Sequence, residues 1–161
     1  MEPIAGLDFV EDFIGEDLEA ELIGLLDVGA RNPGTAGITH VQGFMALDAC
    51  YSPVPEPVVS VIDLVEPHMG RPESVIASVY EVGASLAPHI DPELWSDTIC
   101  VVSLQGPAEL QFSSWVTGEK RRRVVKPRTL MVMSGESRYQ WLHGIEMINE
   151  PRIVLVFRRR I

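Results

Sequence analysis

The spacing of hydrophobic positions changes partway along the chain. In residues 16–27, EDLEAELIGLLD, apolar side chains fall at Leu18, Leu22, Leu25 and Leu26. That spacing places them on one face of an amphipathic helix, and the acids of its first turn suit the positive end of the helix dipole. A loop rich in Gly, Pro and Thr follows from Gly29 to Gly37. A second helix is predicted from near Pro55–Pro57, with Val58, Val59, Ile62 and Val65 on its apolar stripe.

From about residue 75 the period shortens to two. The runs VIASVYEV (75–82), ICVVSLQ (99–105), ELQFSSW (109–115), TLMVMS (129–134) and RIVLVFR (152–158) are β-branched or aromatic and are separated by turn residues. Short strands at this spacing predict antiparallel sheets closed into a sandwich or barrel. The expected fold is α+β: helices first (1–74), then a barrel or jelly roll (75–161), as one domain, since no linker divides them.

Composition agrees. The 161 residues are 46% hydrophobic and 22% charged, which suits one domain with a real core and excludes a disordered chain. No apolar run approaches the ~20 residues that span a bilayer. The acidic start, MEPIAGLDFVEDF, is unlike a signal or transit peptide, so a cytoplasmic protein without a membrane partner is expected. Cys50 and Cys100 read as free thiols, with a single disulfide as the alternative.

Net charge is −10, which argues against broad binding to nucleic acid or anionic membrane. The acidity is local, however. Residues 1–66 carry thirteen acids and one base (Arg31), whereas residues 67–161 carry ten acids and twelve bases. Lys120, Arg121, Arg122 and Arg123, with Lys126 and Arg128, form the one dense basic cluster, on an expected hairpin between the 109–115 and 129–134 strands. It reads either as a solvated loop or as a phosphate contact for RNA.

Candidate chemistry begins at His89-Ile90-Asp91. In an extended segment residues i and i+2 share a face, so one imidazole and one carboxylate project together. They are two thirds of the 2-His-1-carboxylate set that holds non-haem Fe(II) with open positions. An H-x-D tripeptide by itself is a common accident. A third ligand must come from a distant strand. His40, in a loop, and His68, after the second helix, read as surface or capping residues. His143, in GESRYQWLHGIE, is either a partly buried core imidazole or the third ligand.

The last strand places Arg152, Val154, Val156 and Arg158 on one face and Ile153, Leu155 and Phe157 on the other. Two arginines on one face of a buried strand are costly unless they meet an anion or reach solvent at the strand ends. A metal with open positions beside a carboxylate grip suits 2-oxoglutarate, which chelates iron at its keto-acid end and needs a cation at the other.

These motifs resemble the AlkB family of Fe(II)/2-oxoglutarate dioxygenases. The family's tyrosine turn is matched by Tyr80-Glu81-Val82-Gly83, its H-x-D by His89/Asp91 and its ISLSLG-like strand by residues 100–106. Its LLVMxG segment is matched by residues 130–135, its distal histidine by His143 and its R-x5-R by Arg152 and Arg158. The opening GLDFVEDFIGEDLEAELI is similar to the family's first helix region, and GESRYQWLHGI is closest in wording to the tRNA-modifying AlkB homologues.

The resemblance implies a double-stranded β-helix (jelly-roll, cupin-like) with the N-terminal helices packed on one sheet. It implies iron on His89, Asp91 and His143. It implies 2-oxoglutarate on Arg152 and Tyr80, with Arg158 bracing the near end or Asp91, and dioxygen as co-substrate. Ser78 and Val154 stand where family members often have asparagines that touch the cofactor. Trp95, Arg138 and Tyr139 are candidate substrate contacts, and Trp95 could equally be core. Met131 and Met133 are expected in the core or on the site wall.

The expected activity is oxidation of a modified nucleobase in RNA, tRNA foremost, with Arg121, Arg122 and Arg123 on phosphate. The short, weakly basic lid region before Tyr80 weighs against DNA repair. The alternatives are the same chemistry on a protein side chain or small molecule, and a non-enzymatic binding domain on this scaffold.

Overall fold

Two antiparallel sheets face each other, and two helices cover the outer face of the larger one. This computed structural model describes residues 2–27, 31–33, 38–45 and 54–161. The chain runs β1 (Leu7–Val10), α1 (Glu16–Asp27), β2 (Arg31–Pro33), β3 (Ile38–Met45), α2 (Glu56–Met69), β4 (Ser74–Tyr80) and β5 (Leu86–His89). It continues through β6 (Thr98–Gln105), β7 (Ala108–Ser114), β8 (Lys120–Val125), β9 (Leu130–Ser134), α3 (Gly135–Tyr139), β10 (Trp141–Ile145) and β11 (Arg152–Arg158). The large sheet has the order β1-β9-β6-β11-β4-β3-β2, and the small one β5-β10-β7-β8.

Both predicted helices form. Leu22 and Leu26 of α1 are fully buried, as are Val58, Val61, Ile62 and Val65 of α2. Pro55 and Pro57 start α2 as expected, because the first helical N–H groups have no intrahelical partner to lose. Among the described residues no helix is long and apolar enough to cross a membrane.

The alternation of side chains along the large sheet separates two jobs. Val75, Ala77 and Val79, Cys100, Val102 and Leu104, Leu130 and Val132, and Ile153, Leu155 and Phe157 pack against the helices. Their neighbours Ser78, Tyr80, Val101, Ser103, Met131, Met133, Arg152, Val154, Val156 and Arg158 point the other way and line a cavity between the sheets. The small sheet closes that cavity with Leu110, Phe112, His143 and Ile145. A jelly-roll core with helices on one sheet is therefore the observed architecture.

Several local expectations are corrected. The first 74 residues are not purely helical: they supply β1, β2 and β3 to the large sheet. Arg31–Pro33, expected in a loop, forms β2 against β3, and His40 lies within β3; its side chain is outside the described residues. Cys50 is also outside them. His68 sits in the last turn of α2, not after it, edge-on to Phe13. The basic cluster does lie on a hairpin, but Lys120, Arg121, Arg122 and Arg123 are in its second strand, β8, at the edge of the small sheet, not in a loop, because β7 offers a full antiparallel ladder; Lys126 and Arg128 follow that strand.

Candidate functional site

The cavity has a volume of about 210 Å³. At one end lie His89, Asp91 and His143, whose ligand atoms are all within 4.8 Å of one another. Strand pairing brings the two histidines together. His89, the last residue of β5, is the direct partner of His143 on β10, and their rings are 4.4 Å apart. The ladder between these strands carries an irregularity next to this pair, of the kind that re-aims side chains beside functional sites. The strands also approach closely. A Cβ on Gly144 would lie 2.6 Å from the Leu86 carbonyl oxygen, so only glycine fits beside His143.

Two of the ligand candidates, His89 and Asp91, are oriented from behind, whereas His143 Nδ1 is buried without a partner among the described residues. His89 Nδ1 lies 3.0 Å from the Ala87 carbonyl. A carbonyl can only accept, so Nδ1 carries the proton and Nε2 keeps its lone pair for a metal. Burial, then the neighbouring His143, lowers the His89 pKa and favours this neutral form. His143 Nε2 is 3.4 Å from Asp91 Oδ2. The other Asp91 oxygen accepts a hydrogen bond from Arg158 Nη2. Burial by itself would raise the Asp91 carboxyl, but the His143 contact and the Arg158 charge outweigh it and hold the group well below the usual carboxylate range.

At the other end sits Arg152, 1% exposed. Its Nη1 donates to the Gly106 carbonyl at 2.9 Å and its Nη2 to Ser103 Oγ at 3.0 Å. Its Nε is buried without a partner among the described residues, and no ion pair there involves it. Burial pushes its pKa down to about 10, opposed by Tyr80, its partner across the β4–β11 ladder. Desolvation in turn raises the Tyr80 phenol. A desolvated cation with a spare donor, beside a neutral hydroxyl, fits a carboxylate. Two imidazoles and a carboxylate at the far end fit a divalent transition metal.

The structure brings together most of the expected residues. Ser78 and Val154, the two departures from the family pattern, are opposite each other in the ladder and both line the cavity. Met131 and Met133 are on its wall. Trp95 is half-buried outside the cavity lining, with the Arg158 guanidinium 5.6 Å over its ring. Arg138 does not reach a mouth: it is buried, and bonds the carbonyls of Asp91 and Pro92. Tyr139 is exposed, and its carbonyl accepts the Trp115 indole N–H at 2.9 Å.

Arg121, Arg122 and Arg123 are already paired with acids: Arg121 with Glu2 and Glu119, Arg122 with Glu109 and Glu146, and Arg123 with Glu11. Ser103, Gly106 and Gly144 were not singled out individually from sequence. Ser103 did leave a signal, as a polar side chain at an inward position of a buried strand.

Comparison with known proteins places this arrangement. No family model matches the chain. Among solved structures, OsALKBH1 superimposes with a TM-score of 0.73 at 14% identity, covering 99% of this chain and 100% of that one. A prolyl-4-hydroxylase from Pseudomonas putida gives 0.72 at 16%, covering 97% and 94%. The fold is thus the jelly roll that AlkB and prolyl hydroxylase structures share.

Sequence relatives carry the likeness to AlkB homologues. The tRNA (carboxymethyluridine(34)-5-O)-methyltransferase alkbh8 of Xenopus tropicalis is 35% identical over 75 residues, 46% of this chain and 12% of that protein. The alkylated DNA repair protein ALKBH8 homolog of Arabidopsis thaliana is 30% identical over 91 residues, 45% of this chain and 26% of that protein. An uncharacterized protein, L905, of Acanthamoeba polyphaga mimivirus is 30% identical over 104 residues, 56% of this chain. The match spans half the length of the mimivirus protein and much less of the others.

Proposed function

We propose that this chain is an Fe(II)- and 2-oxoglutarate-dependent dioxygenase that hydroxylates or oxidatively demethylates a modified nucleobase in RNA, with tRNA favoured. One observation carries the chemistry. A His-Asp-His cluster and an un-neutralised, buried arginine occupy opposite ends of the same cavity. Bound iron and 2-oxoglutarate, with dioxygen as co-substrate, supply oxidative decarboxylation coupled to oxygen insertion into a C–H bond.

In this reading His89, Asp91 and His143 hold the metal. Arg152 grips the distal carboxylate with the Tyr80 hydroxyl beside it, and Ser78 lines the same end. Arg158 keeps the Asp91 carboxylate ionised and aimed. Leu110, Phe112, Val125, Met131 and Met133 make the wall apolar and exclude water from the reacting centre. The whole chain acts as one domain, since the sheet that carries Arg152 and Tyr80 on one face is backed by α1 and α2 on the other. A reducing, cytoplasmic setting suits the buried Cys100 thiol.

The test is succinate formation from 2-oxoglutarate with added Fe(II). Wild type is expected to turn over slowly without substrate, and His89→Ala not at all; equal background in both overturns the assignment. Mass spectrometry of modified nucleosides in bulk tRNA, with and without the protein, tests the substrate.

The ion pairs of β8 support a second reading, the same chemistry on a protein side chain or small molecule. A phosphate must displace a carboxylate from each arginine it reaches, which lowers the gain per contact. No tRNA binding at low salt favours this second reading. The intact cluster argues against a purely non-enzymatic binding domain.

A further inference from the structure

Sheet pairing fixes two of the three candidate ligands and leaves the third. His89 and His143 are partners in the β5–β10 ladder. Asp91 lies two residues beyond β5, outside regular secondary structure, and the following Pro92 has no N–H to offer a ladder. Its main chain is held by one side chain. Arg138 Nη1 donates to the Asp91 carbonyl at 3.0 Å, and Nη2 to the Pro92 carbonyl at 2.9 Å.

Arg138 is an unusual choice for that task. It is 2% exposed, and no ion pair among the described residues involves it. Its Nε is buried without a partner there. A buried guanidinium is thus used on two backbone carbonyls, and only its planar fork can span both. Its helix, α3, is itself anchored. Ser137 Oγ donates to the Gly6 carbonyl at 2.7 Å, and the Ser137 N–H donates to the Ala5 carbonyl at 3.0 Å. One residue after α3 the chain enters β10, which carries His143.

We propose that Arg138 is a positioning residue for the metal centre, fastening the Asp91 segment to the element that leads into His143. Asp91 is then held twice, by Arg138 at its carbonyl and by Arg158 at its carboxylate. The inference rests on the reading of His89, Asp91 and His143 as metal ligands.

Charge and geometry predict opposite signs, which makes the role testable. A second buried cation near the cluster repels a divalent metal, so removing it for charge alone would tighten binding. Removing a fastening loosens it, by about 10–100-fold for partners that orient ligands.

The experiment is anaerobic titration of the full chain with Co(II), followed by visible absorption, with thermal melts of every variant. Arg138→Met is expected to raise the Co(II) dissociation constant about 10–100-fold and to shift the visible band as Asp91 loosens. Arg138→Lys keeps the charge but not the fork, and is expected to give a smaller rise. Unchanged or tighter binding by folded Arg138→Met overturns the proposal. If that variant does not fold, a wild-type constant for Arg138→Lys overturns it. Wild type that fails to bind Co(II), or His89→Ala that binds as well as wild type, overturns the metal site and the fastening with it. The two failures are therefore distinct.

Discussion

Replacing Arg152 by methionine separates the two roles a buried guanidinium can have, strut or anion anchor. The fall of its pKa from 12.5 to about 10 corresponds to a desolvation cost of about 3 kcal/mol for the charged form. A group whose folded pKa is lowered in this way is charged in both states below pH 10, so the cost is present throughout the physiological range. Against it stand the hydrogen bonds to Gly106 and Ser103, worth about 1.5 kcal/mol each with a charged donor. The terms nearly cancel, and Arg152→Met is expected to change metal-loaded, ligand-free stability by less than about 1 kcal/mol.

Binding of 2-oxoglutarate is expected to respond very differently. Truncating one side of a buried charge pair costs about 2–5 kcal/mol, or roughly 30-fold to several-thousand-fold in the dissociation constant. Calorimetric titration of 2-oxoglutarate into Mn(II)-loaded protein under argon measures this without turnover, and urea unfolding supplies the stability. A folded variant with the wild-type dissociation constant refutes the anchor. A large loss of stability with affinity retained shows a strut instead.

Gly144→Ala is expected to cost about 1–3 kcal/mol and to weaken Co(II) binding, because its Cβ meets the backbone carbonyl of Leu86 and pushes β5 away from β10; wild-type urea midpoints and Co(II) affinity would contradict this. Cys100 is fully buried, and burial pushes its thiol up to about 12 from 9.0. The unfolded thiol ionises first, so this stability is complete below pH 9 and is lost as pH rises toward 12, by about 1.4 kcal/mol per unit. Cys100→Ala is expected to flatten the alkaline stability profile by that slope, and native Cys100 to resist alkylation at pH 8; an unchanged slope or rapid labelling counts against it.

The β-rich half was legible because its signals are local. In RIVLVFR the alternation alone separated the helix-facing Ile153, Leu155 and Phe157 from the cavity-facing Arg152, Val154, Val156 and Arg158, and the structure keeps both sets. Strands β1, β2, β3, β5 and β10 are not legible in the sequence, since short runs interrupted by glycine, proline or charge acquire strand character from a partner. β8 reads as a charged loop in sequence because its strand character comes from the hairpin ladder to β7, while the acids that pair its arginines, Glu2, Glu11 and Glu146, lie well away in the chain.

Local periodicity and motif spacing suffice for the two helices, the period-two core strands and the residue types of the site. The H-x-D spacing pairs His89 with Asp91, although β5 ends at His89, and Arg152 and Arg158 share a face of β11. Tertiary structure decided that His143 is the ladder partner of His89, and that Arg138 is buried with its guanidinium on the Asp91 and Pro92 carbonyls. It also decided that the three arginines of β8 are already paired with acids. The division has one physical cause. Periodicity records which face of its own element a side chain takes, whereas register, burial and counter-ions depend on which distant element packs against it.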